Sequence, residues 1–213
     1  MCVAILKTKG SKISSDTLHE AWTTNRDGGG FAFAKDGKLQ VFKSLERDTF
    51  IDTLIEQMAN YDSNYLIHFR IATSGFDMLK NCHPFAINKD VVFCHNGIMN
   101  NVRSNDIVSD TRFFNKDILQ QMKFDFENQA QHKLIEDYIG NGNKLIFLNS
   151  DGLYKIANEK VGSWQDGVWF SNLNHACDIS NEYNIKTYDD WFNDDSLFKD
   201  VQKKKKAKRR KVV

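Results

Sequence analysis

Eight stretches of the chain are apolar-rich or alternate apolar with polar positions: Val3 to Leu6, Phe31 to Ala34, Leu39 to Phe42, Tyr65 to Ala72, Val91 to His95, Lys144 to Leu148, Leu153 to Ala157 and Val168 to Ser171. Their wealth of β-branched and aromatic residues predicts strands, some joined by turns such as Lys35-Asp36-Gly37-Lys38. A different period appears at Phe50, Ile51, Leu54, Ile55 and Met58, again at Phe113, Ile118, Leu119 and Met122, and at Leu134, Ile135 and Tyr138. Apolar residues three and four apart share one face of a helix, so these segments predict two or three amphipathic helices, one running from Arg112 to Met122. Helices enter in blocks and do not alternate strictly with strands, which favours antiparallel sheets covered by helices over a doubly wound parallel sheet. The expected fold class is α+β. With a single proline, Pro84, and no Gly/Ser linker or internal repeat, one domain with appendages is expected.

The chain has 213 residues, 41% hydrophobic and 27% charged, which suffices for a sizeable core and excludes a disordered or collagen-like chain. No apolar run approaches the roughly 18 to 20 residues of a membrane span, and the N-terminal apolar run Val3 to Leu6 is too short for a signal peptide. The four cysteines, Cys2, Cys82, Cys94 and Cys177, show no CxxC spacing and are too scattered to staple the chain. A reducing cytoplasm is expected, or the nucleus in a eukaryotic host, and no metal site or cofactor is proposed. The net charge of +1 conceals a segregation. Eight of the 29 basic residues lie in Lys203 to Lys211, leaving 21 against 28 acidic groups before them, a net of −7.

Three features carry candidate chemistry. Cys2 follows Met1 directly, and removal of Met1 would leave one residue with both a thiol and an α-amine that titrates near ~7.7 to 8.0, a nucleophile with its own base. The plainer reading is that the second codon happens to be cysteine. His95-Asn96-Gly97 ends an apolar run at a glycine corner, where an Asn side chain and a Gly N–H aimed at one point make an oxyanion hole. Asn-Gly is equally the usual signal for a tight hairpin turn. Arg70 sits within an otherwise apolar strand-like stretch and needs an anion, either an internal carboxylate or the carboxylate of a substrate. His83, before Pro84, reads as a turn-organising residue, while His19, His132 and His175 read as surface or packing residues. The four tryptophans, Trp22, Trp164, Trp169 and Trp191, stand apart from Lys/Arg clusters and read as core or anchoring aromatics.

Taken in order, Met1-Cys2, Asn25-Arg26-Asp27-Gly28-Gly29-Gly30-Phe31-Ala32, Arg70-Ile71-Ala72-Thr73, Asn81-Cys82-His83-Pro84-Phe85, His95-Asn96-Gly97 and Ser109-Asp110-Thr111 resemble the class II glutamine amidotransferase domains of the N-terminal-nucleophile hydrolase superfamily, over about residues 2 to 175. The resemblance implies a four-layer α/β/β/α sandwich of two mainly antiparallel sheets. It makes Cys2 the nucleophile, with its α-amine as base, and Asn96 and Gly97 the oxyanion hole. Arg70 would hold the α-carboxylate of glutamine and Asp110 its α-ammonium, with Thr73 and Ser74 lining the pocket. Without the family order, Asp110 reads as a helix cap.

The implied activity is cleavage of the γ-amide of glutamine, or of a γ-glutamyl compound, through a thioester, releasing ammonia. Ile71 stands where many members have tryptophan, Ser74 where the biosynthetic members have histidine, and the interval from Asn96 to Asp110 is short. The Asp27-Gly28-Gly29-Gly30 stretch is closer to stand-alone members, some of which act on γ-glutamyl amides. The expected organisation is an amidotransferase-like domain at 1–175, an extension at 176–202 and a basic tail at 203–213. That leaves ammonia for a separate synthase chain, or plain hydrolysis. A reading of another class makes the fold a scaffold for nucleic-acid binding through residues 203–211, whose density of like charge opposes compact packing.

Overall fold

The computed structural model describes residues 2–72 and 78–173, all of them in one unit, Met1–Cys177. Thr73 and Ser74, His175, Cys177, Trp191, the extension at 176–202 and the basic tail lie outside the described residues.

Strands β1 (Val3–Lys7), β2 (Gly29–Lys35), β3 (Lys38–Ser44), β4 (Tyr65–Phe69), β9 (Ser163–Gln165) and β10 (Val168–Phe170) form one sheet in the order β3-β2-β4-β1-β10-β9. Strands β5 (Phe85–Ala86), β6 (Val91–Asn96), β7 (Lys144–Asn149) and β8 (Tyr154–Ala157) form a second, in chain order. Every neighbouring pair is antiparallel. The N-terminal strand is therefore central: Val3 lies opposite Phe69 of β4, and Ile5 opposite Phe170 of β10.

Side-chain alternation sorts the strands into three cores. Val3, Ile5, Phe31, Phe33, Tyr65, Ile67 and Phe69 face the helices α1 (Ser15–Thr24) and α2 (Arg47–Asn60), meeting Leu18, Trp22, Phe50 and Leu54. The intervening Ala4, Leu6, Ala32 and Leu66 meet Val92, Cys94, Ile146 and Leu148 of the other sheet. On that sheet's far face Phe93, Leu145 and Phe147 pack on Phe114 of α3 (Asp110–Phe114) and on Ile135 and Ile139 of α4 (Gln129–Ile139). The layers run α/β/β/α, as the family pattern implied. Small residues let the sheets approach: a Cβ on Gly30 would lie 1.9 Å from the His83 carbonyl oxygen.

Five elements differ from expectation. Helix α1, not expected, buries Leu18, Ala21 and Trp22 at helical spacing, and Ser14 caps its start, its Oγ accepting from Thr17 N at 3.0 Å. Strands β5 and β9, two and three residues long, are too short to show a period. The helix expected from Arg112 to Met122 is α3 followed by a wider π turn at Asn115–Leu119. That turn lets Asn115 and Gln120 both donate to the Ala86 carbonyl, and it carries both Phe114 and Leu119 into one core. The strand expected to Ala72 stops at Phe69, because Ala72 N–H is taken at 2.6 Å by the Asp27 carboxylate instead of a ladder partner.

Candidate active site

Cys2 immediately precedes β1, so the central position of that strand carries the thiol to the edge of the inter-sheet layer. The loop after β4 receives it: Ile71 N–H donates to Cys2 Sγ at 3.3 Å, and Ile71 O lies 3.4 Å from the sulfur. This loop is clasped to the stretch before β2. Asp27 N donates to Arg70 O at 2.9 Å, Arg70 N donates to Gly28 O at 2.8 Å, and the Asp27 carboxylate takes Ala72 N–H. Gly28 is at φ +116°, and a Cβ there would come within 2.6 Å of Cys82 Sγ, so the close fit admits only glycine. The Asp-Gly stretch thus presents the segment that meets the thiol. Burial pushes the Cys2 thiol up from its ordinary range, while the Ile71 N–H and the Arg70 guanidinium work in the opposite direction.

Asn96 ends β6 and Gly97 turns the chain away at φ +142°, so this Asn-Gly pair is a strand end beside the thiol and not a two-residue hairpin. Asn96 Nδ2 donates to the Cys2 carbonyl. Asn172, just past β10, donates to the same carbonyl at 2.8 Å and to Asn96 Oδ1 at 3.3 Å, which orients the Asn96 amide with its NH2 towards Cys2. A Cβ on Gly97 would sit 2.2 Å from Asn143 Oδ1.

Asp110 opens α3, but the cap is Ser109, whose Oγ accepts from Arg112 N. That frees the Asp110 carboxylate from capping; it accepts from Met99 N at 2.8 Å and from Thr111 N at 2.6 Å. Asn81 holds the approach to Asp110, donating to Ile107 O and accepting from Ser109 N. One cavity of about 40 Å³ is lined by Cys2, Arg70, Gly97, Asp110, His83 and His95, among others. Arg70, expected within a strand, lies one residue beyond it with its backbone held by Gly28; its Nη1 lies 3.3 Å from Met78 Sδ.

Three histidines are buried here, His83 and His95 on the cavity wall: the tilted rings of His68 and His83 have centroids 4.0 Å apart, and His83 and His95 stack at 6.4 Å. Burial holds all three well on the neutral side; His68 is lowered to about 3. His83 Nδ1 accepts from His95 N, and His68 Nε2 donates to the His95 carbonyl, so His83 braces the corner at β6 beyond organising its own turn. His132, half-buried, packs against Phe124 and Phe147. Trp22 and Trp169 are core residues, while Trp164 is exposed. Among the described residues no group of three or more His, Cys, Asp or Glu side chains is arranged to hold a metal ion, and no helix is long and apolar enough to cross a membrane.

Sequence reasoning missed Asn143 and Asn172. Asn143 follows Gly140-Asn141-Gly142 and looks like a turn residue, and Asn172 lies 170 residues from Cys2, whose carbonyl it meets. Only strand pairing brings them there.

Comparison with known proteins shows the family and the fold. The family model described as class-II glutamine amidotransferases matches residues 14–151. A solved structure, glutamine phosphoribosylpyrophosphate (PRPP) amidotransferase from B. subtilis complexed with ADP and GMP, is similar at a TM-score of 0.50 and 16% identity, a likeness of fold. It covers 82% of this chain and 42% of that one, so the present chain spans less than half of the neighbour's length. No curated protein matches.

Proposed function

Because the chain belongs to the class II glutamine amidotransferases, we propose that it cleaves the γ-amide of glutamine, or of a γ-glutamyl compound, with Cys2 as nucleophile. The observation that carries this reading is the convergence of Cys2, Arg70, Gly97 and Asp110, drawn from four separate segments, on one small cavity. A thiol, a guanidinium and a carboxylate there complement the carbonyl, carboxylate and ammonium of an amino-acid amide.

In the proposed sequence Met1 is removed and the Cys2 α-amine takes the thiol proton. The sulfur attacks the γ-carbonyl carbon. Asn96 has two N–H donors, so one can stay on the Cys2 carbonyl while the other, with Gly97 N–H, meets the developing oxyanion. The tetrahedral intermediate collapses as the ammonium formed from the α-amine returns its proton to the leaving nitrogen. Ammonia departs, and water, deprotonated by the same amine, hydrolyses the thioester to the carboxylate. Arg70 holds the substrate α-carboxylate and Asp110 its α-ammonium. Domain 1–175 does this chemistry, and the ammonia goes to a separate acceptor enzyme or to solvent.

The test is intact-mass measurement with and without a glutamine-analogue diazoketone. Loss of Met1 together with one adduct, absent in Cys2→Ala, is the expected result. An adduct that persists in Cys2→Ala, or none in wild type, overturns the assignment.

A further inference from the structure

Resting on that reading of the site, we propose that Asn143 is a positioning residue that sets the proton on His95 and, through the Thr111 hydroxyl, the state in which Asp110 receives the substrate ammonium.

Asn143 is buried at the start of β7, and its Nδ2 donates to the Ile139 carbonyl at 2.6 Å. Turning the amide over would set its oxygen against that carbonyl, so the orientation is determined. Its Oδ1 therefore faces His95 Nε2, 2.8 Å away, and an amide oxygen can only accept. His95 must carry its proton on Nε2. Neutral imidazole then has a bare Nδ1, and this lies 2.7 Å from Thr111 Oγ1.

A threonine hydroxyl has one hydrogen. With Nδ1 bare, that hydrogen goes to His95, although Asp110 Oδ1 lies 3.2 Å from the same hydroxyl. Asp110 Oδ1 is thus left with Thr111 N–H and unused acceptor capacity, which is what a carboxylate that must bind an ammonium needs. If His95 were imidazolium, Nδ1–H would occupy the hydroxyl oxygen and turn its hydrogen onto Asp110. The charged groups acting on His95 are Asp110, which favours the cation, and Lys144, which opposes it; His83 receives the His95 N–H and His68 binds the His95 carbonyl, and both are neutral.

Asn143 is itself held from outside the site. Asn158 Nδ2 donates to the Asn143 carbonyl at 2.7 Å and to the Gly140 carbonyl at 2.9 Å, which braces the turn ahead of β7. Because Gly97 packs on Asn143 Oδ1, truncation to Ala would also open the oxyanion corner. The informative variant is Asn143→Asp, which gives up the donor to the Ile139 carbonyl but keeps an oxygen on His95 Nε2, a carboxylate that retains a proton there and favours a second on Nδ1.

Two measurements test this on the full chain. Long-range 1H–15N correlation on 15N-histidine protein should find wild-type His95 neutral at pH 7 with its proton on Nε2, and Asn143→Asp should raise the pH at which it titrates. In steady-state glutaminase assays Asn143→Asp should raise KM by about tenfold, the scale of one hydrogen bond to a charged group, with kcat within about threefold. In a Thr111→Val background the same substitution should change KM by less than about twofold, because the relay is already cut. A proton on Nδ1 in wild type overturns the proposal. So does a KM effect of Asn143→Asp that survives intact in Thr111→Val. If wild type turns over no glutamine or γ-glutamyl amide, the functional reading fails instead, while the tautomer measurement still decides the relay.

Discussion

The space between the two sheets has two unlike ends. At one, Leu6, Leu66, Ile146, Leu148 and Trp169 interlock as apolar shapes, and Cys94 lies among them with its thiol pushed far up by burial. At the other, His68 and Asn96 are equally buried but held by hydrogen bonds, His68 to the His95 carbonyl and Asn96 to the Cys2 carbonyl, with His83, His95 and Asn143 joined to them through the end of β6 and Cys2 at the margin. The same pair of sheets makes both. The first end depends on volume, which tolerates exchange of one hydrophobe for another. The second depends on each donor finding its acceptor, so a single lost partner leaves a buried polar group exposed to the full desolvation penalty. The layer teaches that stability and chemistry are divided along one interface.

The sharpest way to break the comparison is to treat its two cysteines alike. Cys2→Ala should abolish amide cleavage without loss of fold, whereas Cys94→Ala should keep kcat near wild type and lower unfolding free energy by about 1 kcal/mol; paired turnover and denaturant melts check both. Next in size is the oxyanion corner. Asn96→Ala should lower kcat by about 10²-fold with a smaller change in KM, while Arg70→Lys should chiefly raise KM, because a bidentate grip on a ground-state carboxylate is lost. A wild-type KM in Arg70→Lys would make the arginine structural.

On the apolar end Leu148→Ala should cost about 2 to 5 kcal/mol in chemical denaturation and leave kcat within a few-fold, the reverse of the Asn96 result. The last contrast belongs to the histidines. His68 is lowered to about 3 in the folded chain against about 6.5 unfolded, so between these values the unfolded state binds a proton that the folded state refuses. Stability therefore falls as pH drops through that window and is unaffected by His68 above it. His68→Gln, which keeps a donor to the His95 carbonyl, should remove about 1.4 kcal/mol per pH unit from the slope of unfolding free energy against pH below 6.5. An unchanged slope would mean that His68 is protonated in place.

What the sequence determined by itself is local or ordered along the chain. Apolar-rich or alternating runs of β-branched and aromatic residues located eight of the ten described strands; Val3 to Lys7 and Lys144 to Asn149 are apolar on both faces because each lies between two cores. The order of short motifs pointed to the family: Cys2 precedes β1, Asp27-Gly28 precedes β2, Arg70 follows β4, Asn96-Gly97 closes β6 and Asp110 opens α3. Tertiary structure alone decided the rest. It ended β4 at Phe69 by giving Ala72 N–H to Asp27, and it widened the helix after Phe114 so that Asn115 and Gln120 could reach Ala86. It also brought Asn143 to His95 and Asn172 to Cys2, partners 48 and 170 residues apart. A hydrogen bond needs its two atoms within about 3 Å and correctly aimed, and for residues so distant in sequence that condition exists only once the strands have paired.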